Sequence, residues 1–222
     1  MVQHIHVDHV RVLIIAAVTL LATVSTGIAQ EPHLPTPTEQ QGHDWLIVPG
    51  ERAGPVTATS TEAELLAHLG EAQSEPTEIH RGEGFFTGGV IGYPSDPTRR
   101  FEVAWADPTE GFQRQVYIRG RSSEWHTAEG ITLGTTLKEL EALNGKPFRL
   151  MGFEWDYSGV IMSWEGGKLE HLAPVGLSLE HIFEGNPDPV YFQVSGDREF
   201  SSGHPAMQRL NPTVREIVVR FD

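Results

Sequence analysis

The stretch Ile131-Thr132-Leu133-Gly134-Thr135-Thr136-Leu137-Lys138-Glu139-Leu140-Glu141-Ala142-Leu143-Asn144-Gly145 decides the reading of this chain, because a version of it occurs twice. Val56-Thr57-Ala58-Thr59-Ser60-Thr61-Glu62-Ala63-Glu64-Leu65-Leu66-Ala67-His68-Leu69-Gly70 aligns with it without a gap, at a constant shift of 75. Thr57/Thr132, Thr61/Thr136, Glu64/Glu139, Leu65/Leu140, Ala67/Ala142 and Gly70/Gly145 are identical. A threonine followed three residues on by a glutamate predicts a capping box, in which hydroxyl and carboxylate satisfy orphan N–H groups reciprocally. Leu65 and Leu69, or Leu140 and Leu143, then give a short apolar stripe, and Gly70 or Gly145 a left-handed stop. Helices of about eight to ten residues are too short to stand alone in water and must pack on a sheet.

The material after each helix reads as strand. In the first half, Gly89 to Tyr93, Phe101 to Trp105 and Gln115 to Ile118 are separated by the turn clusters Pro94-Ser95-Asp96-Pro97 and Asp107-Pro108-Thr109-Glu110-Gly111. In the second, Phe153 to Tyr157, Val160 to Trp164, Leu177 to Leu179 and Val190 to Val194 play the same part, with Gly166-Gly167 as a hairpin turn. Folded material starts near Trp45-Leu46-Ile47-Val48, and the chain closes with a strand whose Ile217, Val219 and Phe221 share a face. The expected fold is α+β, with two tandem repeats, each a short helix packed on an antiparallel β-meander, over 44–129 and 130–222.

Two tandem units of this kind resemble the β-lactamase-inhibitor-protein-like repeat, which is shared with small outer-membrane assembly lipoproteins. The residues that carry the resemblance are Thr132-Leu133-Gly134-Thr135-Thr136, Glu139-Leu140 and Gly145-Lys146-Pro147, and more faintly Thr57 to Gly70. They cover about a fifth of the chain, and they cap and turn rather than react. The chain has no cysteine, so it lacks the anchoring cysteine of the lipoproteins and the disulfides of the inhibitor. The resemblance implies a non-catalytic binding or assembly role exercised through the concave face of the sheet.

Upstream, the apolar run from Val12 to Ile28 follows Arg11 and ends at Gly27-Ile28-Ala29-Gln30, the pattern of a secretory signal peptide over 1–29. A retained N-terminal anchor is the other reading of the same run. Residues 30–43, with Pro32, Pro35 and Pro37, lack an apolar period and read as a disordered linker. The expected location is periplasmic or secreted, with no membrane span in the mature chain. Cleavage after Ala29 would remove one base, Arg11, and one acid, Asp8, leaving the formal charge at −14. Such a surface repels phosphate backbones, so nucleic acid is not an expected partner. The missing cysteine also excludes a disulfide scaffold, a thiol enzyme and a Cys-ligated metal site.

Few motifs point to chemistry. Glu154-Trp155-Asp156-Tyr157, read as a strand, would place Glu154 and Asp156 on one face roughly 7 Å apart, near the spacing of glycoside hydrolases. The same alternation describes any half-buried strand, with Trp155 and Tyr157 pointing inward. Ser122, Ser123 and His126 lack a nucleophile elbow, and Ser201-Ser202-Gly203-His204 is loop-like. His33, His43, His68, His80, His126, His171, His181 and His204 show no ligand spacing, and Asn186-Pro187-Asp188-Pro189 breaks a calcium ladder. Gly82, Gly84, Gly88 and Gly89 flank Phe85-Phe86 as turns or bulges that let the rings pack, not as a phosphate cradle. No motif calls for a cofactor or a metal. Arg99-Arg100 and Arg119-Gly120-Arg121 read as surface partners of nearby carboxylates.

The remaining feature is aromatic: Trp105, Tyr117, Trp125, Trp155, Tyr157 and Trp164, with Asp156, are the candidate binding residues if they gather on an open sheet face. The expected function is a non-enzymatic module binding a protein or cell-envelope component. A hydrolase of glycan or peptidoglycan using Glu154 and Asp156 is the alternative, and a structural envelope protein without a discrete ligand is the third.

Overall fold

The computed structural model describes residues 44–221, apart from 108, 110, 184 and 187. The signal peptide expected over 1–29 and the linker expected over 30–43 lie outside the described residues. Helices α1, Glu62–Leu69, and α2, Leu137–Asn144, start where the capping boxes place them. The Glu64 N–H donates to Thr61 Oγ1 at 3.2 Å, and the Glu64 carboxylate accepts from the Thr61 N–H at 2.9 Å; Thr136 and Glu139 repeat this at 3.2 and 2.8 Å. The likeness extends into the preceding turn, where the Thr57 N–H donates to Ser60 Oγ and the Thr132 N–H to Thr135 Oγ1, both at 3.0 Å. The stops differ. Gly145 is left-handed at φ 79°, ψ 3°, whereas Gly70 has φ 76° but ψ 162°, which sends the chain on into a 3-10 turn at Glu71–Gln73.

The fold is α+β, and beyond the helices the two halves part company. The largest sheet is antiparallel, in the order β11 (Val175–Glu180), β13 (Thr213–Arg220), β7 (Gln115–Arg119), β6 (Phe101–Ala104), β5 (Phe85–Gly92) and β4 (Ser74–Gly82). Strands β4 to β7 are a meander from the first half, while β11 and β13 belong to the second, so one sheet spans the boundary at 129/130. The other strands of the second half, β9 (Arg149–Met151), β10 (Ile161–Ser163) and β12 (Glu199–Ser201), form a separate sheet ordered β10-β9-β12. A third sheet, β3 (Val56–Thr57), β2 (Arg52–Ala53), β1 (Leu46–Val48) and β8 (His126–Thr127), closes with β1 parallel to β8.

Strand periodicity separates the two faces of the large sheet. Phe101, Val103, Val116, Ile118, Leu177, Ile217 and Val219 are buried on one face, in the same core as Leu65 of α1, Leu137 and Leu140 of α2, and Ala206, Met207 and Leu210 of α3 (Pro205–Leu210). Each of these side chains larger than alanine contributes about 1.5–3 kcal/mol by leaving water, enough to hold helices that are unstable alone. Trp125 anchors this core: it is fully buried, lies edge-on to Trp45 and Phe101 with centroids 5.1 Å away, and donates its indole N–H to Arg99 O at 2.9 Å. The three helices share the core on this face of the sheet.

Several sequence expectations need correction. The segment Phe153 to Tyr157 is not a strand: Ser158 N–H returns to Trp155 O at 2.9 Å and Val160 N–H to Tyr157 O at 3.0 Å, so the chain turns. The turn chemistry of Asp156, Ser158 and Gly159 outweighs the aromatic alternation. Residues Val190 to Val194 are likewise not a strand. The Asp188 carboxylate takes the Val190 N–H and its carbonyl takes the Tyr191 N–H, which nucleates a 3-10 turn at Tyr191–Val194. Gly166-Gly167 does not close a hairpin either, because β10 pairs with β9, and β11 with β13. Strand β4 has no strong strand signature in sequence. It is an edge strand with Ile79 as its one buried residue, and Pro76, Glu75 and Glu78 blunt it against pairing with another chain.

Candidate functional site

The face of the large sheet opposite the helices is the floor of a trough of about 1410 Å3. Alternation puts Gln115, Tyr117 and Arg119 of β7, Glu216, Val218 and Arg220 of β13, and Gly176, Ser178 and Glu180 of β11 on this side. One irregularity adds to them. Ser178 pairs with Glu216 and Leu179 with Val214, which leaves Arg215 as an extra residue on β13. The bulge turns Arg215 and Glu216 to the same side, so both line the trough.

Two loops wall the trough. On one side the tip of the β4–β5 hairpin, His80 to Phe85, rises over the floor; on the other stands the turn from Glu154 to Ser158. They meet where the Tyr157 hydroxyl donates to Glu83 Oε1 at 2.8 Å. The turn is braced from below by Gly159, whose carbonyl accepts from Leu179 N at 3.0 Å. A Cβ at Gly159, with φ at 68°, would lie 1.8 Å from Leu179 O. Only glycine allows that approach.

Ion pairs run across the floor. Arg119 pairs with Glu102 and Glu216, Glu102 also holds Arg100, and Arg215 pairs with Glu180 at 3.3 Å. The Arg119 guanidinium lies 4.1 Å from the centre of the Tyr117 ring. Three tyrosines contribute hydroxyls that stay protonated. Burial raises the Tyr117 phenol, whose proton goes to Gln115 Oε1 at 2.6 Å. The hydrogen bond to Glu83 raises Tyr157. Burial, with Glu154 beside it accepting its hydrogen bond, pushes Tyr191 up to about 12. These phenols donate hydrogen bonds and are poor bases or nucleophiles near neutrality. The trough therefore offers apolar surface, ion pairs and phenol donors.

The structure gathers some of the sequence candidates here and disperses the rest. Tyr117 is in the floor, and Asp156 and Tyr157 are in the wall with Glu154. Trp155, 48 % exposed, stands on the outside of the same turn rather than in the core. Trp125 and Trp164 are buried, Trp164 against Phe148 at 5.2 Å, and offer no ring to a ligand. Trp105 packs at the edge of the core with Arg114 5.1 Å above its ring. Glu154 and Asp156 are exposed residues of a turn, so the strand geometry that would have spaced them as a catalytic pair does not apply. Ser123 Oγ is committed to Thr98 O and the Trp125 N–H, and His126 Nδ1 lies 2.7 Å from Glu124 O, so the two are not a nucleophile and base. Ser202, buried, bridges the Phe148 N–H and Glu141, and His204 caps α3. Among the described residues no group of three or more metal-ligating side chains converges, and no helix is long and apolar enough to cross a membrane.

Sequence reading missed Arg215, Glu216, Val218, Arg220, Phe85 and Tyr191 as trough residues. The face shared by Ile217, Val219 and Phe221 implied an opposite face carrying Glu216, Val218 and Arg220, and that was the available signal. Nothing in sequence marked the bulge at Arg215. Comparisons of the chain with protein-family models, with characterised proteins and with solved structures find no match in any of the three.

Proposed function

We propose that this protein is a secreted or periplasmic binding module without catalytic activity, which takes an extended segment of a protein or cell-envelope component along its trough. The observation that carries the reading is the open trough on the large sheet, on the face away from the helices, with ion pairs across its floor and aromatic side chains at its rim. At about 1410 Å3 the trough exceeds the roughly 300–1,000 Å3 of small-molecule pockets and suits a polymer. The apolar run at 12–28 supports export, and the resemblance of the 132–147 stretch to the β-lactamase-inhibitor-protein-like repeat supports a role in binding or assembly. The test is titration calorimetry with extended peptides and soluble peptidoglycan fragments, comparing the native chain with Ser178→Trp, which fills the floor. A ligand weakened about tenfold or more by Ser178→Trp supports the reading, and an unchanged affinity refutes it.

A second reading, hydrolysis of glycan or peptidoglycan, is favoured by the placement of Glu154 and Asp156 in the trough wall. It requires turnover of a peptidoglycan or oligosaccharide substrate that disappears in the Glu154→Gln, Asp156→Asn double variant. Full turnover in that variant disposes of it.

A further inference from the structure

The β4–β5 hairpin is longer than the sheet it belongs to. Strand β5 pairs with β6 from Gly89 to Gly92, and Gly88 O accepts the Trp105 N–H at 3.1 Å, so the outer part, from Ile79 through the tip to Thr87, is a two-stranded arm. Two strands alone are marginal in water and must lean on something. The arm leans on the trough floor. Ile79 is buried in one cluster with Ala104, Tyr117 and Val218, side chains of β6, β7 and β13, so the arm bends over this face of the sheet. The Arg81 guanidinium lies 4.1 Å from the centre of the Phe112 ring, and Arg119 donates to His80 O at 3.2 Å. The bend is permitted at Gly89, where a Cβ would come within 2.1 Å of Val103 O and 2.4 Å of Ile79 Cγ1.

The contacts of the arm are few and its far end is wet. Phe85 and Phe86 are 57 % and 55 % exposed, against the sequence expectation that the flanking glycines let them pack. Across the trough the tip is held by the hydrogen bond from Tyr157, itself 52 % exposed, to Glu83. A partner lying in the trough would meet Phe85, which already faces it.

We infer that the arm is a lid over the trough, hinged at Gly88-Gly89 and latched shut by the Tyr157–Glu83 hydrogen bond, so that opening of the latch admits the ligand. The inference rests on the trough being the binding site, but its test needs no ligand. Because the chain has no cysteine, a single introduced thiol reports access cleanly. Val218 and Val219 are neighbours on β13 that face opposite ways: Val218, 7 % exposed, lies under the arm, and Val219 lies in the main core.

The experiment measures the reaction of a maleimide with Val218→Cys and, separately, with Val219→Cys, each with Tyr157 intact and with Tyr157→Phe. The phenyl ring of Tyr157→Phe removes the donor and keeps the shape. Expected is a rise of roughly threefold to tenfold at position 218, the weight of one hydrogen bond, with no change at position 219. Glu83→Ala should match Tyr157→Phe, and Glu83→Gln, whose amide oxygen still accepts, should restore slow reaction. Equal rates at 218 with and without the latch make the arm a fixed wall and overturn the inference. An equal rise at 218 and 219 reports general loosening and overturns it as well. Failure of every ligand titration would refute the binding reading and leave the lid measurement standing.

Discussion

Glu139 and its counterpart Glu64 each accept two hydrogen bonds from a threonine, and those bonds hold both carboxyls below their ordinary 4.5. Removing the donor by Thr136→Ala is expected to cost about 1 kcal/mol, read as a lower denaturant midpoint at unchanged slope. The same residues carry a pH signature. A carboxyl whose pKa is lower folded than unfolded favours the fold when ionised, so its contribution is complete above 4.5 and fades as pH falls through the lower folded value. Asp44, lowered from 3.8 chiefly by its hydrogen bond from Arg52, and Asp188, lowered from 3.8 chiefly by the Val190 N–H, add to the loss at slightly lower pH. Thermal midpoints measured from pH 7 to pH 3 should hold nearly level and then drop below about pH 4.5. In Thr136→Ala the drop should be shallower, since part of the linked stability is already gone.

At the scale of elements, the helices were legible in sequence and several strands were not, for a physical reason visible in particular residues. A capping box is a local contract between Thr136 and Glu139, so its four-residue pattern is sufficient to place the start of α2. The aromatic alternation at Phe153, Trp155 and Tyr157 is local too, but whether it becomes a strand depends on distant partners. Here the Met151 N–H donates to Val160 O at 2.9 Å, so the chain must reverse between them, and the side chains of the turn are pushed outward. Tyr117 and Tyr157 were found in sequence because they are aromatic. Arg215 was not, since a bulge is fixed by the register between two strands and leaves no mark in either. The brace under that turn is testable: Gly159→Ala is expected to destabilise by about 1–3 kcal/mol or more and to raise hydrogen exchange at Leu179, whose N–H it would detach from residue 159. Leu140→Ala, deep in the core, should cost about 2–5 kcal/mol without altering the trough.

For the whole molecule, one face of a six-stranded sheet is buried in the core it shares with three short helices, and the other floors a trough under the β4–β5 arm. The recurrence of the capped helix does not extend to the sheet, because β11 and β13 of the second half pair into the meander of the first. With a formal charge of −14 but a trough floor in which Arg119 and Arg215 pair with carboxylates, recognition there should depend on apolar and hydrogen-bonding contact more than on net charge. Binding in the trough is accordingly expected to lose less than about tenfold between 50 and 200 mM salt, in contrast to the losses of about 10³–10⁵ typical of a phosphate-backbone ligand.

The most direct measurement is an amide chemical-shift map of the labelled protein, taken as extended peptides and soluble peptidoglycan fragments are added. Shifts concentrated on Gln115 to Arg119, Arg215 to Arg220 and Gly176 to Glu180, with the hairpin tip and the turn at Tyr157 following, are the expected result. Shifts centred instead on the third sheet, around Leu46–Val48 and His126–Thr127, with the trough silent, would contradict it.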